Sequence, residues 1–362
     1  MAEPSFPICC EAVTPQWLTA ALGGEAKLGG TIIGFDAARV GEGVGFLGVV
    51  NRLSLRYQGE AAGAPRTIIA KVPSPDPGAR MITTTFRQYE KEVRFYEQCA
   101  VHSPMRTARS YYQAFDAESG DFALLLEDLA PRRNGDHLAG LSVAEARLAV
   151  EGLAQQQASW WESPALARLD WLPFFDDPSM LPLQDVFIQC WPAYCGFFGE
   201  ALSPEMRALG ERLGPKIRTI MTTLSQAPTT LVHGDFRADN FFFDGERLTV
   251  VDWQIVMRGR GAFDLAYLIT GNLDPASRRA SEANLVRLYS DTLAAGGVQD
   301  YDFEDAWRDY RLCALFGWIW PVVAIGSLDA ANQRGMAVFH AWSHRVTSAI
   351  EELGAADVLD AY

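Results

Sequence analysis

The segment LVHGDFRADNFFFDGERLTVVDW, residues 231–253, holds the side chains best suited to chemistry. A polar His233-Gly234-Asp235 follows an apolar pair. Asn240 comes five residues after Asp235, and Asp252 twelve residues after Asn240. Between these two, Asn240–Phe243 and Leu248–Val251 flank a turn at Asp244-Gly245, which predicts a hairpin. A hairpin folds the chain back, so Asn240 and Asp252 can end near each other. An amide and a carboxylate offer the hard oxygens that Mg²⁺ takes together with substrate phosphates. Asp235 supplies a further carboxylate able to hold an attacking hydroxyl. Phosphoryl transfer asks little more of a protein than metal ions to neutralise the phosphates and a carboxylate to orient the nucleophile.

Three further features occur upstream. Gly41-Glu-Gly43-Val-Gly45-Phe-Leu-Gly48 contains G-x-G-x-x-G between two predicted strands. Glycines there let backbone N–H groups approach phosphates. A plain hairpin turn is the competing reading, and a dinucleotide site would need a helix where this sequence offers a strand. Lys71 interrupts the apolar run Thr67–Val72, and a charge in a half-buried strand needs a partner unless it faces solvent at an edge. The predicted helix Phe86–Cys99 offers Glu90, Glu92 and Glu97.

The segment 233–240 resembles the H-G-D-x-x-x-x-N motif of aminoglycoside phosphotransferases, choline kinases and ecdysteroid-kinase-like proteins. The resemblance implies a two-lobed protein-kinase-like α+β fold, with a small β-rich N-terminal lobe over residues 1–128 and a larger, mainly helical lobe over 129–362. It implies Asp235 as the base or hydroxyl-orienting group, Asn240 and Asp252 as Mg²⁺ ligands, and ATP as phosphate donor. Gly43, Gly45 and Gly48 would cover the phosphates. Lys71 would contact them and pair with a helix glutamate. Glu92-Val-Arg-Phe-Tyr96 resembles E-x-x-F-Y of the ecdysteroid-kinase-like group, which favours Glu92, with Glu90 as the second choice. Glu127, Asp128 and Leu129, at the end of Leu124-Leu-Leu-Glu-Asp-Leu129, would line the nucleotide. Arg258-Gly-Arg-Gly-Ala-Phe-Asp264-Leu-Ala-Tyr resembles the group's G-x-x-x-x-D-L-A-Y, which makes Asp264 a brace for the catalytic loop; capping the next helix is the other role open to it. The likeness spans about residues 30 to 325. One departure is Gln157, in Leu153-Ala-Gln-Gln-Gln-Ala-Ser-Trp160, where many relatives carry histidine.

These residues need a scaffold. Phe35–Val40 and Val49–Tyr57 read as a hairpin, Thr67–Val72 as a strand, and Ser110–Phe115 with Phe122–Leu126 as a second hairpin. After Leu129 the texture turns helical, with Pro131–Asp136 as a turn-like exit. Ser142 and Glu145 form a capping box that opens a helix running to about Trp161. Further helices are predicted at Pro204–Thr223, Pro275–Ala295, Phe303–Trp320 and Ala331–Leu353.

Bulk properties narrow the function classes. Of 362 residues, 49% are hydrophobic, enough for a sizeable core. Lys and Arg total 31 against 45 Asp and Glu, a net charge of −14 that argues against nucleic acid as partner. The six cysteines form no zinc-like spacing, which predicts reduced, packed thiols. The N-terminus shows no basic region followed by an apolar run. The longest apolar stretch, Leu312–Ile325, is too short to span a bilayer and is broken by Pro321. A cytoplasmic enzyme with no membrane insertion is the expectation; the sequence leaves its oligomeric state open. His340 and His344 lack a third ligand, and no G-x-S-x-G elbow exists. The aromatics Trp191, Tyr194, Phe197, Phe198, Phe316, Trp318 and Trp320 are expected mostly in the core. Those that reach the acceptor site would suit an apolar alcohol such as a sterol, terpenoid or hydroxyacyl compound. A cationic aminoglycoside or choline would call for clustered carboxylates, and Asp302, Glu304 and Asp305 sit where helix capping explains them. A non-catalytic nucleotide-binding pseudokinase is the other class to separate.

Overall fold

The computed structural model describes residues 6–41, 47–327 and 332–362. The chain divides into two compact units, Met1–His102 with Thr107–Arg132, and Ser103–Arg106 with Arg133–Tyr362.

The first unit is built on five strands: β1 (Gly30–Arg39), β2 (Gly48–Gly59), β3 (Thr67–Pro73), β4 (Ser110–Phe115) and β5 (Phe122–Glu127). Their order is β1-β2-β3-β5-β4, and every neighbouring pair is antiparallel. The strand period of two sorts β3 cleanly. Ile68 and Ala70 join Leu53 and Leu125 in an apolar cluster with Leu18 of the Pro15–Ala21 helix. Lys71 therefore projects from the other face. β5 is buried from Phe122 to Leu126, because both its faces are covered. Leu125 meets the N-terminal cluster, while the Phe122 ring stacks on Tyr89 at 4.2 Å between centroids.

The helix predicted over Phe86–Cys99 is found as Gln88–Gln98, and an unpredicted helix precedes it. Pro77–Thr85 is capped by the Asp76 carboxylate, and Gln88–Gln98 follows after Arg87 turns the chain at φ 50°. The Asp76-Pro77 pair is an N-cap and first-turn proline signal that the apolar spacing alone does not reveal.

The second unit is mainly helical. The Ser142–Glu145 capping box opens Val143–Trp160, and Pro275–Ala295 starts from an Asp274 cap. The predicted Pro204–Thr223 helix is divided by Gly214-Pro215 into Pro204–Leu213 and Ile217–Ser225. Phe303–Gly317 opens on an Asp302–Asp305 capping box and is followed by Ile319–Ala324. Gln333–Glu352 follows, with the short Ala355–Leu359 after it; Ala331, where the longer helix was predicted to begin, lies outside the described residues. Leu183–Phe198 was not predicted, nor was Ala262–Asn272, which is buried at every position and so shows no amphipathic period.

Two small ladders interrupt the helices. Phe241–Asp244 and Arg247–Val250 form the predicted hairpin, with Arg133–Asn134 as a third strand. Thr230–Val232 pairs with Met257–Gly259. Among the described residues no helix is long and apolar enough to cross a membrane. The architecture is α+β, a sheet-rich N-terminal unit followed by a mainly helical one.

Candidate active site

The loop after Thr230–Val232 is held from behind by one carboxylate. Asp264, on the first turn of Ala262–Asn272, accepts the His233 N–H at 2.7 Å and the Gly234 N–H at 2.9 Å. Gly234 has φ +86°, and a Cβ there would sit 2.5 Å from the Ile255 carbonyl oxygen, so the tight turn requires glycine. Asp264 is fully buried, and burial pushes its carboxyl up to about 7 although the two backbone N–H groups favour the ionised form.

His233 organises the loop. Its Nδ1 accepts the Asp235 N–H at 3.2 Å, which leaves Nε2 as the protonated nitrogen, donating to the Val251 carbonyl at 3.1 Å. Burial lowers the ring's pKa, in keeping with that neutral tautomer, and the ring packs on Trp253 at 4.5 Å.

The predicted pair Asp235 and Asn240 is in direct contact. The Asn240 amide donates to the Asp235 backbone carbonyl at 2.8 Å and to its carboxylate Oδ2 at 3.0 Å. With both hydrogens engaged, Asn240 Oδ1 remains as the acceptor atom. The hairpin then returns the chain: the Val251 N–H donates to the Asn240 carbonyl at 3.0 Å, which puts Asp252 one residue beyond that clasp. Asp252 takes a left-handed conformation, φ 67°, unusual for a side chain other than glycine. An amide oxygen and a carboxylate fit Mg²⁺, whose remaining positions fall to phosphate and water. Among the described residues no group of three or more His, Cys, Asp and Glu forms a metal cage.

Two residues near Asp235 were not singled out in the sequence. The Arg237 Nε lies 3.1 Å from Asp235 Oδ1, and the charges of Asp235, Asp239 and Asp252 all act on the guanidinium. Tyr267 is buried near the same carboxylate; burial and the Asp235 charge raise its hydroxyl well above the usual range. A cation two residues after the key aspartate, inside the motif itself, was the available signal for Arg237.

In the first unit, Lys71 Nζ lies 2.7 Å from each carboxylate oxygen of Glu92. Glu92 is 1% exposed. Glu90 instead pairs with Arg87 and Arg94, each at 2.8 Å, so the second choice of partner is occupied elsewhere. Gly48 opens β2 opposite Pro73, whereas Gly43 and Gly45 lie outside the described residues. The Tyr89 hydroxyl donates to the Leu47 carbonyl and accepts the Ser74 N–H at 3.0 Å, which fixes the strand entry. At the end of β5, Arg132 contacts Glu127 at 3.0 Å and Arg52 holds Asp128 through two bonds of 2.7 and 3.1 Å. Burial opposes ionisation of Asp128, but Arg52 and the Ala130 N–H keep its pKa below the usual value. Leu129 is buried.

The sequence pattern of the phosphotransferase enzyme family matches residues 61–312, well over half of the chain. The chain belongs to that family. The structure is similar to a choline kinase from Cryptosporidium parvum Iowa II, at 11% identity over 89% of this chain and 91% of that one, with TM-score 0.53, a likeness of fold. It is also similar to a macrolide 2′-phosphotransferase from Brachybacterium faecium (16% identity, 91% and 98% covered, TM-score 0.46) and to a choline kinase from Streptococcus pneumoniae (13%, 96% and 98%, 0.47). No curated protein matches the sequence. The fold of this phosphotransferase is thus kinase-like, with the β-rich part first and the helical part after it. Gln157, the residue that departs from the motif's usual histidine, is not idle in it: its Nε2 donates to the Gly261 carbonyl at 3.1 Å and toward Asp264 Oδ2 at 3.4 Å.

Proposed function

We propose that this phosphotransferase is a small-molecule O-kinase, moving the γ-phosphate of ATP to a substrate hydroxyl with Mg²⁺. The observation that carries the reading is the Asp235–Asn240 contact on a loop clamped by Asp264. Asp235 accepts the hydroxyl proton as the acceptor oxygen forms its bond to the γ-phosphorus and the bond to ADP breaks. Asn240 Oδ1 and the Asp252 carboxylate hold the metal, which neutralises the phosphates when bound. Lys71, fixed by Glu92, binds phosphate oxygens in the nucleotide unit, and the backbone of Glu127–Leu129 lines the base. Gly43, Gly45 and Gly48 cover the phosphates.

For the acceptor we favour a neutral, apolar alcohol of the sterol, terpenoid or hydroxyacyl type. A guanidinium beside Asp235 disfavours ammonium groups at the reacting carboxylate. Of Asp302, Glu304 and Asp305, the acidic residues weighed for a cationic substrate, Asp302 and Asp305 are engaged in capping their own helix. Trp191, Tyr194, Phe316 and Trp318 are buried in the core, which leaves Phe197 and Phe198 as the partly exposed aromatics of the Leu183–Phe198 helix.

The test incubates the purified protein with Mg²⁺-ATP and a broad panel of hydroxylated metabolites, with mass-spectrometric detection of one added phosphoryl group. Transfer to uncharged alcohols supports the reading. Transfer confined to aminoglycosides or choline overturns the acceptor class. ATP binding with no acceptor-dependent consumption across the panel makes the protein a pseudokinase.

A further inference from the structure

Behind the catalytic loop lies a buried polar chain that the phosphoryl-transfer chemistry does not itself use. Gln157, on Val143–Trp160, and Tyr289, on Pro275–Ala295, are both fully buried. The Tyr289 hydroxyl donates to Gln157 Oε1 at 2.5 Å. Gln157 Nε2 faces two acceptors, the Gly261 carbonyl and the Asp264 carboxylate. The Gln157 backbone carbonyl accepts the Thr230 hydroxyl at 2.7 Å, which anchors that turn of the helix to the strand leading into the loop.

The orientation of the amide follows from this. Turned over, it would aim Oε1 at a carbonyl and a carboxylate and Nε2 at a hydroxyl. Tyr289 is the donor that secures the observed orientation, and burial keeps its phenol protonated. Gly261 makes the meeting possible. A Cβ there would lie 2.6 Å from Gln157 Oε1, 2.8 Å from Thr230 Cγ2 and 2.8 Å from the Tyr289 hydroxyl.

We propose that Gln157 and Tyr289 are a remote positioning pair, in which the tyrosine fixes the glutamine amide so that it donates to Asp264 and keeps that carboxylate clamped on the His233 and Gly234 N–H groups. The pair rests on the kinase reading only for its effect on turnover; its effect on the loop is independent of substrate. The ionisable groups around Asp264 are His233 and Asp235 on the loop, Tyr289 on its helix, and Cys313 on Phe303–Gly317. Burial holds the cysteine and the tyrosine protonated, and it favours the neutral imidazole. Asp264 is then the group whose protonation responds when the amide donor is lost, and that loss favours its protonated form.

The experiment compares Tyr289→Phe, which keeps the ring, with Gln157→Met, which keeps the volume, and with the double variant. Hydrogen exchange of the 233–234 amides is read by mass spectrometry, and Mg²⁺-dependent ATP hydrolysis without acceptor is read against pH. Each single variant is expected to exchange those amides about tenfold faster, to lower kcat about tenfold with KM for ATP within about twofold, and to move the acid limb of the profile upward by about one pH unit. The double variant is expected to be no worse than the worse single one, because the two residues act in series. Unchanged exchange at 233–234 in both single variants overturns the proposal, whatever the activity. So does a fall in kcat with the acid limb unmoved, which marks a merely structural role. Faster exchange in a protein without acceptor-free ATP hydrolysis supports the pair, and the acceptor panel decides the kinase reading separately.

Discussion

Asn240 gives both of its amide hydrogens to a single residue, Asp235, one to the backbone carbonyl and one to the carboxylate. The contact does two things at once. It holds the Asp235 carboxylate in place, and it fixes which atom of Asn240 remains to meet a cation. The two roles proposed for this pair are therefore coupled, and so are the consequences of changing either residue.

Asp235→Ala is expected to lower turnover by about 10²-fold or more, since a positioned base contributes on that scale. ATP affinity should survive, because the nucleotide contacts proposed here come from other residues. Steady-state kinetics with titration calorimetry check both halves. Near-normal turnover would remove Asp235 from its role.

Asp252 allows a comparison of two variants. Asp252→Ala and Asp252→Gly both remove the carboxylate, and both should weaken Mg²⁺-dependent ATP binding. Only the glycine accepts φ 67° without strain, so Asp252→Gly should be more stable than Asp252→Ala by about 1 kcal/mol. Denaturant melts of the two variants measure that difference; the reverse order would contradict the left-handed geometry.

Removing the Lys71 ammonium takes a close counter-charge away from a buried carboxylate. With Glu92 at 1% exposure, Lys71→Met should cost about 3 kcal/mol of stability. Lys71→Met with Glu92→Leu should recover much of it, since an apolar pair needs no counter-charge. Urea unfolding of the single and double variants decides; equal loss in both would mean that the ion pair carries little of the effect.

Asp264 sets a pH dependence whose sign can be worked out. Its folded pKa, pushed up to about 7 by burial, lies above the roughly 3.9 of an unfolded aspartate. The folded state then binds the proton more tightly. The resulting stabilisation is complete below about pH 4 and is lost as pH rises through about 7. Asp264→Asn should flatten the change in Tm between these limits, as read by scanning calorimetry at pH 5 and pH 8. Activity should run the other way, falling on the acid side as the clamp is protonated.

Much of the site was legible because its signals are local. Asp235 and Asn240 stand five residues apart in one loop, and the hairpin that Asp244-Gly245 announces returns the chain to Asn240 at Val251, one residue before Asp252. Lys71 was legible as a charge inside an apolar alternation. Glu92 was favoured over Glu90 by the E-x-x-F-Y resemblance, and Glu90 is held by its own helix neighbours Arg87 and Arg94. What remained hidden lay mostly in contacts distant in sequence. Gln157 read as a mere departure because its partner Tyr289 is 132 residues further along. The helix Ala262–Asn272 escaped because a segment buried all round has no polar face to mark its period.

Tyr89 and Glu92 leave the same helix three residues apart. The first grips the carbonyl of Leu47 and the second grips Lys71. One rigid rod thus carries both the anchor of the glycine-rich segment's trailing edge and the counter-ion of the lysine. A sideways shift or roll of that rod would disturb both grips together, so the strand entry and the lysine are tied to a single mechanical part.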